Sequence, residues 1–120
     1  MNLLETIRDR LNIPQPIYIS DMPATPDDLV SLYQSGGASN QFFGGLSIDS
    51  PTIYIEARSA INALNIINNV VEQLKGVICP IDKRQYIINS AQATTPKNTG
   101  KDQNQRSYAA VEIRFICVNS

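Results

Sequence analysis

Leu3, Leu4, Ile7 and Leu11 recur at helical spacing with Glu5, Arg8, Asp9, Arg10 and Asn12 between them, and Pro14 stops the pattern. This predicts a short amphipathic helix over about 2–12. Ile17-Tyr18-Ile19 is rich in strand formers but hemmed in by Pro14, Pro16 and Asp21-Met22-Pro23, which leaves room for a brief strand or an extended arm. After a turn at Thr25-Pro26-Asp27-Asp28, the run Leu29-Val30-Ser31-Leu32-Tyr33 predicts a strand over about 28–34, closed by Gly36-Gly37. Residues 35–51 hold four of the six glycines and keep no period, so they read as an unusually long loop. From Thr52 to Arg58 the alternation is clean: Ile53, Ile55 and Ala57 share one face, and Tyr54, Glu56 and Arg58 the other.

Ser59 reads as an N-cap. Behind it Ala60, Ala63, Leu64, Ile67, Val70, Val71 and Leu74 form a wide apolar stripe that ends at Lys75-Gly76, a basic last turn and a glycine stop. The other face of this helix, Asn62, Asn65, Asn69, Glu72 and Gln73, is polar but nearly uncharged, where a solvated helix usually carries Lys and Glu pairs. Such a face suits contact with a neighbouring subunit. Residues 76–84 read as a connection and 85–93 as a strand with imperfect alternation. The stretch 94–107 is wholly polar, Gly or Pro, which predicts a mobile loop carrying Lys97, Lys101 and Arg106 against Asp102 alone. In 108–118, Val111, Ile113, Phe115 and Cys117 alternate with Ala110, Glu112, Arg114 and Ile116, so the last two strands form an antiparallel hairpin with a long tip. The expected architecture is α+β: one domain over 1–120, with a mixed or antiparallel sheet of four to five strands and two helices packed on one face.

The chain of 120 residues is 42% hydrophobic and 18% charged, enough for one core. Ten Lys+Arg against eleven Asp+Glu leave a formal charge of −1, so strong binding to a phosphate backbone is not expected. No apolar run nears the roughly 20 residues of a membrane span, and Met1-Asn2-Leu3-Leu4-Glu5 lacks a secretory pattern, which predicts a soluble protein made in the cytoplasm. Histidine is absent, which removes the commonest general base and the Ser-His and Cys-His pairs. Cys79 and Cys117 are too few for a thiolate cage and read as buried reduced thiols. No catalytic group, cofactor or metal is expected.

Gly36-Gly37 and Gly44-Gly45 lack the following Lys-Ser/Thr of a phosphate loop, and sharp turns explain them better. Asp27 and Asp28 are adjacent, point to opposite faces if extended, and fit a turn cap better than an acid–base pair. Phe42 and Phe43, two rings in a Gly/Ser/Asn-rich stretch, must either fold back on the core or be covered by a partner. Lys97, Lys101 and Arg106 read as a solvated tip, or as a partner-facing loop that could pass close to DNA.

Three features in this order carry a family resemblance: the strand end Leu32-Tyr33-Gln34-Ser35-Gly36-Gly37, the step Ile55-Glu56-Ala57-Arg58-Ser59 from strand into helix, and the helix end Leu74-Lys75-Gly76. With the N-terminal helix and closing hairpin, they resemble the minor capsid and tail-terminator (tail-completion) proteins of long-tailed bacteriophages across nearly the whole chain. The resemblance implies a non-enzymatic virion protein assembling as a ring, commonly a hexamer, that caps the tail tube and joins it to the head-proximal neck. Its partners would be further copies of itself, the tube protein and the neck or head-completion proteins, with weak contact to DNA in the channel and none with membrane. The Gly-rich stretch with Phe42-Phe43 departs from that pattern. The alternatives from other classes are a small non-viral ligand-binding or regulatory domain and an enzyme built on scattered carboxylates.

Overall fold

A computed structural model describes residues 2–43, 46–83, 85–92 and 94–119, without the side chains of 37–43, 46 and 88–92. The first helix, α1 (Leu3–Arg10), is capped by Asn2, whose Oδ1 accepts from the Glu5 N–H at 2.9 Å. It is followed by β1 (Ile17–Ile19), β2 (Leu29–Phe43), β3 (Leu46–Ser59), α2 (Ala63–Leu74), β4 (Cys79–Pro80), β5 (Gln85–Gln92), β6 (Lys97–Lys101) and β7 (Ser107–Asn119). The strands join in one seven-stranded sheet of order β1-β2-β3-β7-β5-β4, with β6 also paired to β7, so the sheet exceeds the expected four to five strands. β1 runs parallel to β2, and every other pairing is antiparallel.

The extra strands arise where the sequence reads as loop. Residues 35–43 and 46–51 lie in the distal parts of β2 and β3, which pair antiparallel, with register shifts between Gln34 and Gly36 and between Ala38 and Gln41. Gly36 takes φ +124°, a conformation that disfavours a side chain, beside the first shift. The backbone of β7 supports the distal part of β3: Ser47, Ile48 and Asp49 pair with Asn119, Val118 and Cys117. Main-chain hydrogen bonding therefore orders a stretch whose side chains carry no strand signal. The polar segment 94–107 is corrected in the same way. Lys97–Lys101 pairs with β7 as β6, and 102–106 form the turn between the two strands.

Alternation assigns the core. Ile53, Ile55 and Ala57 of β3 stand opposite Ile113, Val111 and Ala109 of β7, and Leu32 and Val30 of β2 complete the rows. All are buried in one cluster with Ile7 and Leu11 from the α1 end, with Ala63, Ile66, Ile67, Val70 and Leu74 of α2, and with Phe115, Cys117 and Ile87. Leu29 and Ala110 are buried outside that cluster, on the opposite face of the sheet. Cys79 and Cys117 flank Ile87 two strands apart on the cluster's face, both as free thiols. Burial first, then the nearby Asp49 carboxylate and Cys79, pushes the Cys117 thiol up to about 11.

α2 starts later than the apolar stripe suggests. Ser59 ends β3, and its Oγ accepts from the Ile61 and Asn62 N–H groups, while Asn62 is the actual cap, its Oδ1 accepting from Asn65 N–H at 3.3 Å. The helix stops at Gly76, φ +66°.

Candidate functional site

The end of the sheet where β3 meets α2 holds the densest polar network. Segment 20–28 links β1 to β2 and crosses the face opposite the main cluster. Ser20 donates its N–H to Leu32 O (2.8 Å), and the Ser31 hydroxyl donates to Asp21 O. Arg58, 2% exposed, lies beneath this segment. Its guanidinium donates from Nε to Asp27 O (3.2 Å) and from Nη2 to Pro26 O (2.5 Å). A buried cation is thus met by backbone carbonyls, with no described carboxylate in ion-pair range. Asp28, expected to cap its own turn, instead reaches the end of β3: one oxygen accepts from Ser59 Oγ (3.0 Å), the other from Ala60 N–H (2.9 Å).

Arg106 closes the network from the other side. Its Nε donates to Asp102 Oδ2 (2.8 Å), and its Nη1 donates to Ala24 O (2.6 Å) and lies 3.4 Å from Asp27 Oδ1. Arg106 is 9% exposed and turned inward, which removes it from the set of free cations expected at the tip; Lys97 and Lys101 remain exposed on β6. Asp102 is the clasp. It accepts from the Asn104 and Arg106 N–H groups, from Arg106 Nε and from the Tyr108 hydroxyl. Desolvation raises its carboxyl, but these hydrogen bonds outweigh that and hold it below the usual carboxylate range. Because the folded state favours the ionised form, its stabilisation is complete above the unfolded value of about 4 and is lost as pH falls through the lower folded value. Asp102→Asn is therefore expected to flatten the acid dependence of the melting temperature below about pH 4, measured by parallel melts between pH 2 and pH 5. An unchanged slope would show that the clasp does not titrate with folding.

Beside this network lies an open groove of about 350 Å³ lined by Ile61, Asn62, Asn98, Gly100, Lys101 and Ser107. Ile61 is 89% exposed in it. The structure thus brings together Asn62 and Lys101, which the sequence placed in separate groups. Ser107 Oγ ties the groove's floor, accepting from Ala63 N–H (3.0 Å) and donating to Ser59 O (3.2 Å).

The remaining expected residues fall elsewhere. Asn65 and Asn69 are exposed on α2, and Asn69 Oδ1 accepts from Gln73, which also holds Asn12 through both its backbone groups. Part of that uncharged face is therefore used within the chain, fastening α2 to the α1–β1 connection. The backbone of Phe42 and Phe43 pairs with Ser47 and Leu46, while their side chains, and Gly44-Gly45 entirely, lie outside the described residues. On the sheet face that carries Arg58, the rings of Tyr33 and Tyr54 meet at a tilt of 52° with centroids 6.2 Å apart, and the Tyr54 hydroxyl donates to Glu56 (3.3 Å). Burial, then the Glu56 and Glu112 charges, raises Tyr54; burial also raises Glu56, partly offset by the tyrosine hydrogen bond.

Sequence reasoning missed Arg58, Asp102, Ser107 and Ile61. The step Ala57-Arg58-Ser59 was the available signal, an arginine and a hydroxyl at a strand end directly before a helix. Among the described residues no three His, Cys, Asp or Glu side chains gather as a metal site, and no helix is long and apolar enough to cross a membrane.

Residues 2–119 match a family model described as Bacteriophage tail terminator protein. The chain belongs to that family. No curated protein matches it. As a tail terminator family member it is a structural protein of a phage tail and a component of the virion, a non-enzymatic kind of protein.

Proposed function

We propose that this chain forms a ring, most simply a hexamer, that caps the tail tube and joins it to the head-proximal neck, assembling in the host cytoplasm before it enters the virion. The match to the tail terminator model over residues 2–119 carries the reading. In it the sheet, with both helices packed on one face, is the ring body. Copies of this chain, the tube protein and the neck or head-completion proteins are the partners, and DNA meets at most the exposed Lys97 and Lys101. Exposed Ile61 and Asn62 and the outward-facing Asn65 supply an uncharged rim of the kind that interface cores favour.

Size-exclusion chromatography with light scattering, with and without tube protein, tests the reading: an oligomer well above the 13.2 kDa subunit is expected. Asn65→Lys with Asn69→Lys should weaken assembly by about tenfold in concentration, because a repelling pair recurs at every junction of a ring. The subunit's melting temperature should hold within a few degrees. Assembly unchanged in the double variant would assign that α2 face to solvent.

A further inference from the structure

The outer strands of a sheet carry unpaired N–H and C=O groups, and proteins normally blunt them with short strands, proline, lysine or a covering element. Three edge pieces here are blunted. β1 has three residues and follows Pro14 and Pro16; β4 has two and includes Pro80; β6 carries Lys97 and Lys101. Two stretches are not. β1 covers β2 only at Val30, Ser31 and Leu32, so among the described residues the outer edge of β2 over 34–43 has no partner strand. Its sequence, Gln-Ser-Gly-Gly-Ala-Ser-Asn-Gln-Phe-Phe, has neither charge nor proline. β4 covers β5 only at Tyr86 and Ile87, so among the described residues 88–92, Ile-Asn-Ser-Ala-Gln, have no partner on that outer edge and are equally free of both.

These two margins match one another. Gly36 pairs with Thr52, Thr52 with Arg114 and Arg114 with Ala91; Gln41 reaches Tyr86 in the same way through Ile48 and Val118. Residues 36–41 of β2 therefore stand level with 86–91 of β5, at opposite ends of the path β2-β3-β7-β5. Each step of that path is antiparallel, so β5 runs opposite to β2. A copy rotated about an axis along the strands brings its β2 beside the first copy's β5, at the same height and in the antiparallel sense. Self-pairing of β2 across a two-fold axis would leave β5 open, whereas this head-to-tail arrangement uses both margins and repeats until it closes.

We propose that residues 34–43 of β2 in one copy pair with residues 88–92 of β5 in the next, making the subunit contact a continuation of the sheet. The proposal deepens the ring reading and rests on it for closure. Main-chain hydrogen bonds supply the affinity, as in strand addition generally.

Hydrogen exchange on the full chain, free and assembled, with and without tube protein, tests the pairing. Outward amides in 34–43 and 88–92 are expected to slow at least tenfold on assembly. Ser39→Cys combined with Asn89→Cys should give a disulfide-linked ladder beyond the dimer on oxidation, with each single variant unlinked; Cys79 and Cys117 are buried and stay out of the exchange. An oligomer whose two margins stay unprotected, or a dimer from Ser39→Cys alone, would each overturn the pairing while leaving the ring. A chain that remains monomeric even with tube protein would overturn the ring reading and the pairing together.

Discussion

Replacing Arg58 with methionine is expected to destabilise the fold by about 3 kcal/mol, because hydrogen bonds to a charged donor contribute about 1.5–3 kcal/mol each and their buried acceptors would be left unpaired. The methionine fills much of the volume, so the loss reports the carbonyls of Pro26 and Asp27 rather than a cavity. Segment 20–28 would lose its hold on the sheet, and Ser31, buried beneath it, would become open to solvent. Arg58→Lys should fall between the two, since an ammonium lacks the planar fork that reaches both carbonyls. Urea denaturation of the three proteins measures this. A loss below about 1 kcal/mol for Arg58→Met would mean that water replaces the guanidinium at little cost.

Phe115→Ala is expected to cost more, about 4 kcal/mol, in line with large-to-small changes at fully buried rings. Phe115 is wholly buried in β7, the strand that pairs with β3, β5 and β6. Its backbone partner across the sheet is Ser90 of β5, so a cavity here loosens the distal half of the sheet, including both unprotected margins. If the proposed ring forms, its assembly should therefore fail in this variant at temperatures where the wild-type oligomer persists. A stability loss under about 2 kcal/mol would show that the site collapses around the deletion. Normal assembly after a full loss would separate the margins from the core behind them.

How much of this was legible in the sequence follows from which force orders each part. Ile53, Ile55 and Ala57 were readable because burial of one face imposes a period of two, and α2 because burial of a stripe imposes a period of 3.6. Stretches 35–43, 46–51 and 97–101 were not, since their order comes from main-chain pairing of β2 with β3 and of β3 and β6 with β7, to which Gly, Ser and Asn contribute no recognisable pattern. The rings of Phe42 and Phe43 drew attention for their chemistry, whereas the backbone that carries them is what the sheet uses. At the polar junction the failure has another cause. Arg58 alternates with Ile55 and Ala57 as a solvent-facing residue should, and its burial depends on a segment about 30 residues earlier folding over it. Arg106 is a sharper case, since its anchor at Ala24 lies 82 residues away. Nothing local distinguishes such an arginine from a solvated one. Of the expected interface residues, Asn62 turns out to be the cap of α2 beside the groove, a role its place on the uncharged helix face did not signal.

The position of β7 has a consequence for how the chain comes to be folded at all. β7 follows the other described strands in chain order, yet it pairs with three of them, β3, β5 and β6, with Ser47 pairing to Asn119 and Ser59 to Ser107. During synthesis the β2/β3 hairpin must wait without its central neighbour, and Ile53 and Ile55 without Ile113 and Val111. Contacts this distant in sequence form slowly and leave strand margins uncovered meanwhile. The clasp of Arg106 on Ala24 then joins segments made 82 residues apart. A nascent chain thus lacks the central partner of its β2/β3 hairpin until β7 emerges, and every row of the core that crosses from β3 to β7 waits with it.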